Sequence, residues 1–318
     1  MNRRVLVRHL EAYLCLREAL GLRMEAERVL LPKLIDFVIV QGDDGPVRAQ
    51  LVVDWARAYS PRRGGAGAVN RLSIARQFLR YLHAIEPGIE IPPPGMIHRE
   101  RRPKPFLFSP SQIEQLLDAA RHAQPRNSLR PHTLATLLGL LASTGLRVRE
   151  ALRLTVDDVR LDQTPPFLQI RETKFQKSRL VPLHATAVEQ LKNYIERRAA
   201  ARYDALSETL LLSTRGRPVN YSALQRWFRN SCRRLRIEPQ DDTARHPCLH
   251  SFRHGFAVDR LRHWYEAGRD VRKLLPELAV YLGHVRPEET YWYLTATPEL
   301  LIAAAERFQR FAAIGESP

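Results

Sequence analysis

A proline-rich segment one third of the way along the chain limits every fold that this sequence can adopt. Residues 87–105 read Pro-Gly-Ile-Glu-Ile-Pro-Pro-Pro-Gly-Met-Ile-His-Arg-Glu-Arg-Arg-Pro-Lys-Pro. Proline lacks a backbone N–H and fixes φ, so this run cannot lie inside a helix or a sheet, and it is typical of a semi-extended linker. A chain of 318 residues has room for a core on each side. We therefore predict a first domain at 1–90, a linker at 91–106 and a second domain at 107–318.

The first domain has the periodicity of amphipathic helices. Apolar residues recur three and four positions apart in four segments: 5–20, 24–40, 47–59 and 69–82. Pro32 is expected near a helix start or at a kink. In the fourth segment Arg71, Arg76 and Arg80 fall at near-helical spacing on the outward face. A basic face of this kind suits a DNA groove, and a solvated charged surface explains it equally well. The pattern predicts a four-helix domain.

The second domain is predicted to be mainly helical with one small β-element. Ser109 caps a helix that begins at Pro110, and a very apolar helix at 130–143 ends at Thr144-Gly145, as with a left-handed cap. Two short strand-like runs, 167–171 and 179–183, flank a turn that carries Lys174 and Lys177. The chain contains only six lysines, so two in one turn suggest a need for an ammonium that can lose its proton. A solvated turn is the alternative. The fold class expected is mainly α with a small β-hairpin or sheet (α+β).

Charge narrows the range of partners. Fifty Lys and Arg residues against 34 Asp and Glu give a net charge of +16, with a pI near 10.4. A balance this basic indicates a polyanionic partner, nucleic acid before an anionic membrane. The sequence lacks an apolar run near the ~20 residues of a spanning helix, and its first residues lack the apolar core of a signal peptide. We expect a cytoplasmic protein without a membrane partner.

The cysteines do not indicate a disulfide or metal framework. Cys15, Cys232 and Cys248 are scattered and form no C-x-x-C pair. His246, Cys248 and His250 alternate closely, but no second ligand pair follows at zinc spacing. We therefore expect reduced thiols and no bound metal.

Two arginines, two histidines and a tyrosine occur in four short polar motifs of the second domain. The motifs are Thr144-Gly-Leu-Arg147, His250-Ser-Phe-Arg253, Leu282-Gly-His284 and Thr290-Tyr-Trp-Tyr293. A tyrosine hydroxyl can attack phosphorus, arginines bind phosphate oxygens through two parallel bonds, and histidines donate hydrogen bonds or move protons. Taken singly, the histidines could be ordinary surface or core residues and the aromatic residues could serve only packing. Together the motifs predict phosphoryl transfer.

In their order and spacing, these motifs resemble the tyrosine recombinase (phage integrase) family. The resemblance extends over residues 107 to about 300. It is weaker in the first domain, where Val69 to Leu82 is similar to the last helices of the family's core-binding domain. It implies a site-specific DNA recombinase or integrase that cleaves and rejoins strands through a 3′-phosphotyrosine intermediate, with no metal or other cofactor. The arginine-rich first domain resembles integrases and transposases of mobile elements at least as much as chromosome-dimer resolution enzymes.

The resemblance implies how the phosphate is bound. Arg147 and Arg253 would hold the non-bridging oxygens of the scissile phosphate and stabilise the charge of the pentacoordinate transition state. His284 would donate a hydrogen bond to a phosphate oxygen. Glu150, one turn after Arg147, is expected to support the helix that begins there.

The resemblance also implies how protons move. Tyr293 would become linked to the DNA 3′ phosphate, His250 would assist proton transfer at the tyrosine, and Lys174 would protonate the leaving 5′ oxygen. Tyr293 lies nine residues after His284, whereas Tyr291 is expected on another side of the helix.

Double-stranded DNA is the predicted partner, with self-association as a dimer on one site and a tetramer in synapsis. The predicted DNA contacts are Arg71, Arg76 and Arg80 in the first domain and Lys177, Arg226 and Arg229 in the second. The resemblance implies that a helix at 298–311 docks on a neighbouring protomer, and packing on its own domain is the alternative.

Two other functions fit the fold: relaxation of DNA by a type IB topoisomerase, and non-catalytic regulation. The complete motif set argues against a regulator, because DNA binding alone requires neither Lys174 nor Tyr293.

Overall fold

The computed structural model describes residues 2–42, 45–58, 66–98, 104–171, 178–201, 203, 207–239, 245–284 and 288–296. The chain divides into two compact units, residues 1–102 and 103–318, so the boundary lies inside the predicted linker. The first part of that linker packs on the first unit, where Ile91, Met96 and Ile97 contact the core. No helix in the described ranges is both long and apolar enough to cross a membrane.

The first unit contains the four predicted helices. They are α1 (Arg3–Ala19), α2 (Glu25–Gln41), α3 (Ala49–Ala58) and α4 (Ala66–His83). The apolar faces meet in a core that includes Trp55 and Phe78, both fully buried. Pro32 lies in the middle of α2, and not near a start as expected. Proline cannot donate the backbone hydrogen bond of a helix, but the buried side chains of Leu31 and Leu34 anchor α2 on both sides of Pro32. This packing accounts for the continuation of the helix past Pro32.

The second unit contains the remaining helices of the described residues. These are α5 (Pro110–Arg121), α6 (Arg130–Thr144), α7 (Val148–Arg153), α8 (Ala185–Ala200), α9 (Tyr221–Arg234), α10 (Ser251–Glu266), α11 (Val271–Leu282) and α12 (Glu288–Ala296). Ser109 caps α5 as predicted, and its Oγ accepts from the Gln112 N–H at 3.2 Å. Gly145 ends α6 in the left-handed region with φ +62°, also as predicted.

A small antiparallel sheet completes the second unit. Its strands are β1 (Val159–Arg160), β2 (Phe167–Ile170) and β3 (Arg179–Pro182), in the order β1-β2-β3. Leu168 and Val181 are paired across β2 and β3, and both are fully buried. The two predicted strands are present, and β1 adds a third. The predicted turn with Lys174 and Lys177 lies outside the described residues. This helical architecture with one small sheet confirms the predicted fold class.

The helices of the second unit pack around α6. This helix contacts α5, α8 and α10, and its leucines Leu137, Leu138 and Leu141 are fully buried. A separate cluster forms where α10, α11 and α12 meet, and it includes Leu261, Leu282 and, on α12, Tyr293. Those residues singled out for chemistry that the structure describes lie at the junction of these two cores.

Candidate active site

The C-terminal end of α11 is bound by three arginines, each donating to one of three consecutive carbonyls. The bonds run from Arg179 Nε to Tyr281 O (2.8 Å), from Arg253 Nη2 to Leu282 O (2.6 Å) and from Arg147 Nη2 to Gly283 O (2.8 Å). The last carbonyls of a helix lack intrahelical donors and form the negative end of the helix dipole, so cations are favoured there. We call Arg147, Arg179 and Arg253 the arginine cluster.

The three arginines come from different elements of the second unit. Arg147 is the N-cap of α7 and follows the left-handed Gly145 by two residues. Arg253 lies in the first turn of α10, is 1% exposed, and also donates from Nη1 to Gly145 O at 3.0 Å. Arg179 is the first residue of β3. The end of α11 therefore fixes an α7 residue, an α10 residue and a strand residue relative to one another.

One carboxylate serves two members of the arginine cluster. Glu150 forms two bonds with Arg179, at 2.8 and 3.2 Å, and its Oε1 lies 2.9 Å from Arg147 Nη1. Burial would raise the pKa of the Glu150 carboxyl, but the hydrogen bonds and charge of Arg179 and the hydrogen bonds of Arg147 outweigh it, so its pKa lies below the usual range. Among the described residues, Glu150 is the one carboxylate bonded to this cluster of three guanidiniums, which leaves an excess of positive charge suited to an anion. Glu150 also supports the start of α7, as expected, because its Oε2 accepts from the backbone N–H of Arg147 at 3.0 Å.

His284 comes directly after Gly283, whose carbonyl binds Arg147, and its imidazole is neutral. Burial, and then the positive charges of Arg253 and Arg147, lower its pKa to about 3. Its Nδ1 shares a hydrogen bond of 2.6 Å with the Thr290 hydroxyl of α12. Burial and the charge of Arg147 also lower the pKa of Arg253, to about 10, so that guanidinium remains charged at neutral pH.

Tyr293 points into the site and Tyr291 does not. The side chain of Tyr293 is 2% exposed, against 44% for Tyr291, as the predicted helical geometry requires. The Tyr293 ring is stacked with the ring of His284 at a centroid distance of 6.4 Å. Its hydroxyl is hydrogen-bonded to Nδ1 of His254 at 2.9 Å. His250, the exposed N-cap of α10, places its ring 4.6 Å from the ring of His254.

The structure gathers the candidate residues that it describes into one region. Arg147, His250, Arg253, His284 and Tyr293 all lie around the ends of α10, α11 and α12. Lys174 lies outside the described residues, so its predicted role stays a prediction.

Two residues of this region received no role from the sequence. His254 lies four residues after His250, but no pattern in the sequence indicated a bond from His254 to Tyr293. Arg179 appeared only as the start of a strand, since its contacts lie 29 and 102 positions away in the sequence.

The predicted DNA-contacting arginines of the first unit differ from one another. Arg80 is exposed. Arg71 is half-buried and donates from Nε to Ala56 O at 3.0 Å, and Arg76 is half-buried and donates from Nε to Pro92 O at 2.8 Å. The sequence did not predict these carbonyl contacts, which involve Arg71 and Arg76 in the packing of their own unit. DNA contact by the three arginines stays a prediction.

Two predicted DNA-contacting arginines of the second unit lie on an exposed face of α9. Arg226 and Arg229 lie one turn apart on it and face solvent, while Leu224 and Phe228 of the same helix are buried. DNA contact by this face also stays a prediction. Lys177, the remaining predicted contact, lies outside the described residues.

Comparison with known proteins identifies the family of this chain. Residues 107–299 match the phage integrase family, which is more than half of the chain. The chain belongs to the phage integrase family, the class of tyrosine recombinases that its sequence motifs resemble. The predicted family is therefore confirmed.

Individual relatives cover most of the sequence. A putative integrase/recombinase of Sinorhizobium fredii is 38% identical over 308 residues, which is 94% of this chain and 96% of the relative. The tyrosine recombinase XerD of Corynebacterium glutamicum is 30% identical over 215 residues, or 67% of this chain and 64% of XerD. In fold the chain is similar to the Tn1549 transposon integrase in complex with a circular intermediate DNA, with a TM-score of 0.66 at 17% identity, covering 94% and 99% of the two chains.

Proposed function

We propose that this chain is a site-specific DNA recombinase that cleaves and rejoins DNA strands through a 3′-phosphotyrosine intermediate. The observation that carries the proposal is the position of Tyr293, buried against His284 immediately beside the arginine cluster. A phenol held next to an excess of positive charge can attack a phosphate bound by that charge.

The proposed cleavage step begins with phosphate binding. Arg147 and Arg253 bind the non-bridging oxygens of one DNA phosphate, and a guanidinium has five N–H donors, so each can hold its carbonyl of α11 and a phosphate oxygen at once. A neutral imidazole has one N–H, so with Nδ1 accepting from the Thr290 hydroxyl, His284 donates its Nε2–H to a phosphate oxygen. These cations and donors stabilise the extra negative charge of the pentacoordinate transition state, and the proposed step needs no metal ion.

Bond making and breaking then follow from the same arrangement. The Tyr293 oxygen loses its proton and forms a bond to phosphorus, while the bond from phosphorus to the 5′ oxygen breaks. Lys174 supplies the proton that the leaving 5′ oxygen gains, and His250 assists proton transfer on the tyrosine side. A 5′ hydroxyl from a second strand can reverse the step, and this produces strand exchange in place of hydrolysis.

The partner in this proposal is double-stranded DNA, for which a net charge of +16 is suited. We propose a dimer on each recombination site and a tetramer in synapsis, with residues 298–311 docking on a neighbouring protomer. The similarity to a putative integrase/recombinase over nearly the whole chain supports an enzyme that recombines DNA.

The nucleophile is tested on a nicked duplex that contains the recombination site, which traps the covalent intermediate because the short cleaved strand diffuses away. Tyr293→Phe removes the attacking oxygen, so no protein–DNA adduct should form, while DNA affinity stays unchanged because one hydroxyl contributes little to a long electrostatic interface. Tyr291→Phe is the matched control and should form the adduct at the original rate. An adduct with Tyr293→Phe would transfer the role to Tyr291.

The proposed acid is tested on the same duplex. Lys174→Ala should slow cleavage by about 10²-fold to 10⁴-fold, the usual scale for general acid catalysis, and a 5′-thio leaving group, which needs no proton, should restore much of the rate. If the 5′-thio group does not restore the cleavage rate of Lys174→Ala, Lys174 is a phosphate contact only and Lys177 is the next candidate for the acid.

The alternative function, that of a topoisomerase, predicts a different result: the chain would relax plasmids that lack the site, with no exchange of strands.

A further inference from the structure

Two side-chain hydrogen bonds fix α12 on the body of the second unit. Thr290 bonds to His284 at 2.6 Å, and Tyr293 bonds to His254 at 2.9 Å. Positions three apart in a helix share one face, so both bonds leave α12 on the same side. This helix has only nine residues, and a helix of that length is marginal without tertiary contacts. The orientation of Tyr293 therefore depends on these contacts.

The partner of the tyrosine hydroxyl is itself immobilised. His254 lies in α10 directly after Arg253 and is 4% exposed. Its ring packs edge-on against the rings of His250, Trp292 and Tyr293, at centroid distances of 4.6, 5.7 and 5.5 Å. A side chain enclosed on these sides has few rotamers available, so its Nδ1 is a fixed point relative to Arg253.

A hydrogen bond to a fixed acceptor sets both the place of the phenol oxygen and the direction of its lone pairs. When the Tyr293 O–H points at Nδ1 of His254, the oxygen lone pairs turn away from that imidazole. Attack on phosphorus needs a lone pair in line with the leaving oxygen, and displacement of a reacting atom by 1 Å can cost about 10²-fold in rate. The residue that fixes this oxygen therefore affects the rate without touching DNA.

We propose that His254 is the positioning residue of the nucleophile: its Nδ1 accepts the hydrogen bond of the Tyr293 hydroxyl and holds the oxygen for attack. The inference rests on the proposed function in one respect, the assignment of Tyr293 as nucleophile. The role of His254 in this proposal is separate from the proposed role of His250, which assists proton transfer on the tyrosine side.

Three substitutions of His254 test the inference. One removes the polar atoms of the side chain, and the other two place an amide at different distances from the backbone. The adduct-forming rate is measured on the nicked duplex for His254→Ala, His254→Asn and His254→Gln. An asparagine amide occupies the place of imidazole Nδ1, whereas the longer glutamine amide reaches the place of Nε2. His254→Ala and His254→Gln should form the adduct about 10-fold to 100-fold more slowly, and His254→Asn should recover most of the rate. DNA affinity should be the same in all three.

The matched control is His263→Ala, since His263 lies on the same helix and is exposed. It should leave the rate unchanged. Equal rates for His254→Ala and the original chain would overturn the inference, and so would an inactive His254→Asn that binds DNA normally.

A second measurement does not depend on cleavage. 3-Fluorotyrosine at position 293 reports the surroundings of the hydroxyl through its ¹⁹F resonance in the full chain without DNA. The resonance should shift in His254→Ala and return toward its original position in His254→Asn. An unchanged resonance in His254→Ala would overturn the positioning role and leave Tyr293 as the proposed nucleophile. Adduct formation by Tyr293→Phe would instead overturn the assignment of Tyr293 as nucleophile while the fluorine result stood.

Discussion

At the scale of single residues, His284 shows how burial and neighbouring charges set the protonation state of a residue in the site. An imidazole with a pKa near 3 is neutral near pH 7, so it offers a hydrogen bond and adds no further cation to the three arginines. The cause is burial first, and then the charges of Arg253 and Arg147. A phosphate bound by those two arginines would offset their charge and raise the pKa of His284.

This depressed pKa predicts how stability depends on pH. The folded pKa of about 3 lies below the ordinary value of 6.5, so between these values the unfolded chain binds a proton that the folded chain does not. The contribution of His284 to stability is therefore present above about pH 6.5 and is lost as the pH falls toward 3. Urea unfolding from pH 7 to 4 should show a steeper fall for the original chain than for His284→Gln. Parallel curves would contradict the lowered pKa, because all other groups are common to both proteins.

At the scale of elements, the end of α11 organises the site. One carbonyl from each of Tyr281, Leu282 and Gly283 receives an arginine, and those arginines come from β3, α10 and the loop before α7. Gly283 closes the helix with φ +68°, and a Cβ added there would lie 2.8 Å from Arg179 Nη1. Glycine is needed at this position for two separate reasons, the left-handed backbone and the space filled by Arg179.

The two requirements can be separated with two glycines of the same φ. Gly268 also has φ +68°, but a Cβ there would meet nothing within 4 Å. Gly268→Ala should cost only the left-handed strain, about 1–2 kcal/mol in urea unfolding. Gly283→Ala should cost more, and it should also slow adduct formation, because displacing Arg179 removes two of the bonds that orient Glu150 and, through it, Arg147. Equal losses of stability with no change in rate would show that the contact of Arg179 with Gly283 has no effect on the site.

The elements differ in how far the sequence determined them. The helices and the cap at Gly145 were predictable because apolar spacing and glycine act locally. β1 was not, since two residues cannot establish a period of two. Arg179 and Arg76 were not predictable in their roles, because a guanidinium that binds distant carbonyls leaves no trace in local spacing. The candidate catalytic residues were found because their motifs combine polar types that a buried core does not favour.

At the scale of the whole molecule, the excess of positive charge extends over both units. Arg80 is exposed in the first unit, and Arg226 and Arg229 are exposed in the second. If both units bind the same duplex, each contact with a phosphate releases counterions, and affinity should fall steeply with salt.

A salt series on the full chain tests whether both units contribute. The slope of log affinity against log salt should become shallower by about 1 for Arg80→Ala and by about 2 for the Arg226→Ala, Arg229→Ala pair, since each substitution removes one phosphate contact. Arg262→Ala is the control, because Arg262 is exposed on α10 but is paired with Asp259 and Glu266. Its slope should match that of the original chain. A slope unaltered by Arg80→Ala would remove Arg80 from the interface, and a flat dependence in the original chain would contradict electrostatic binding of DNA altogether.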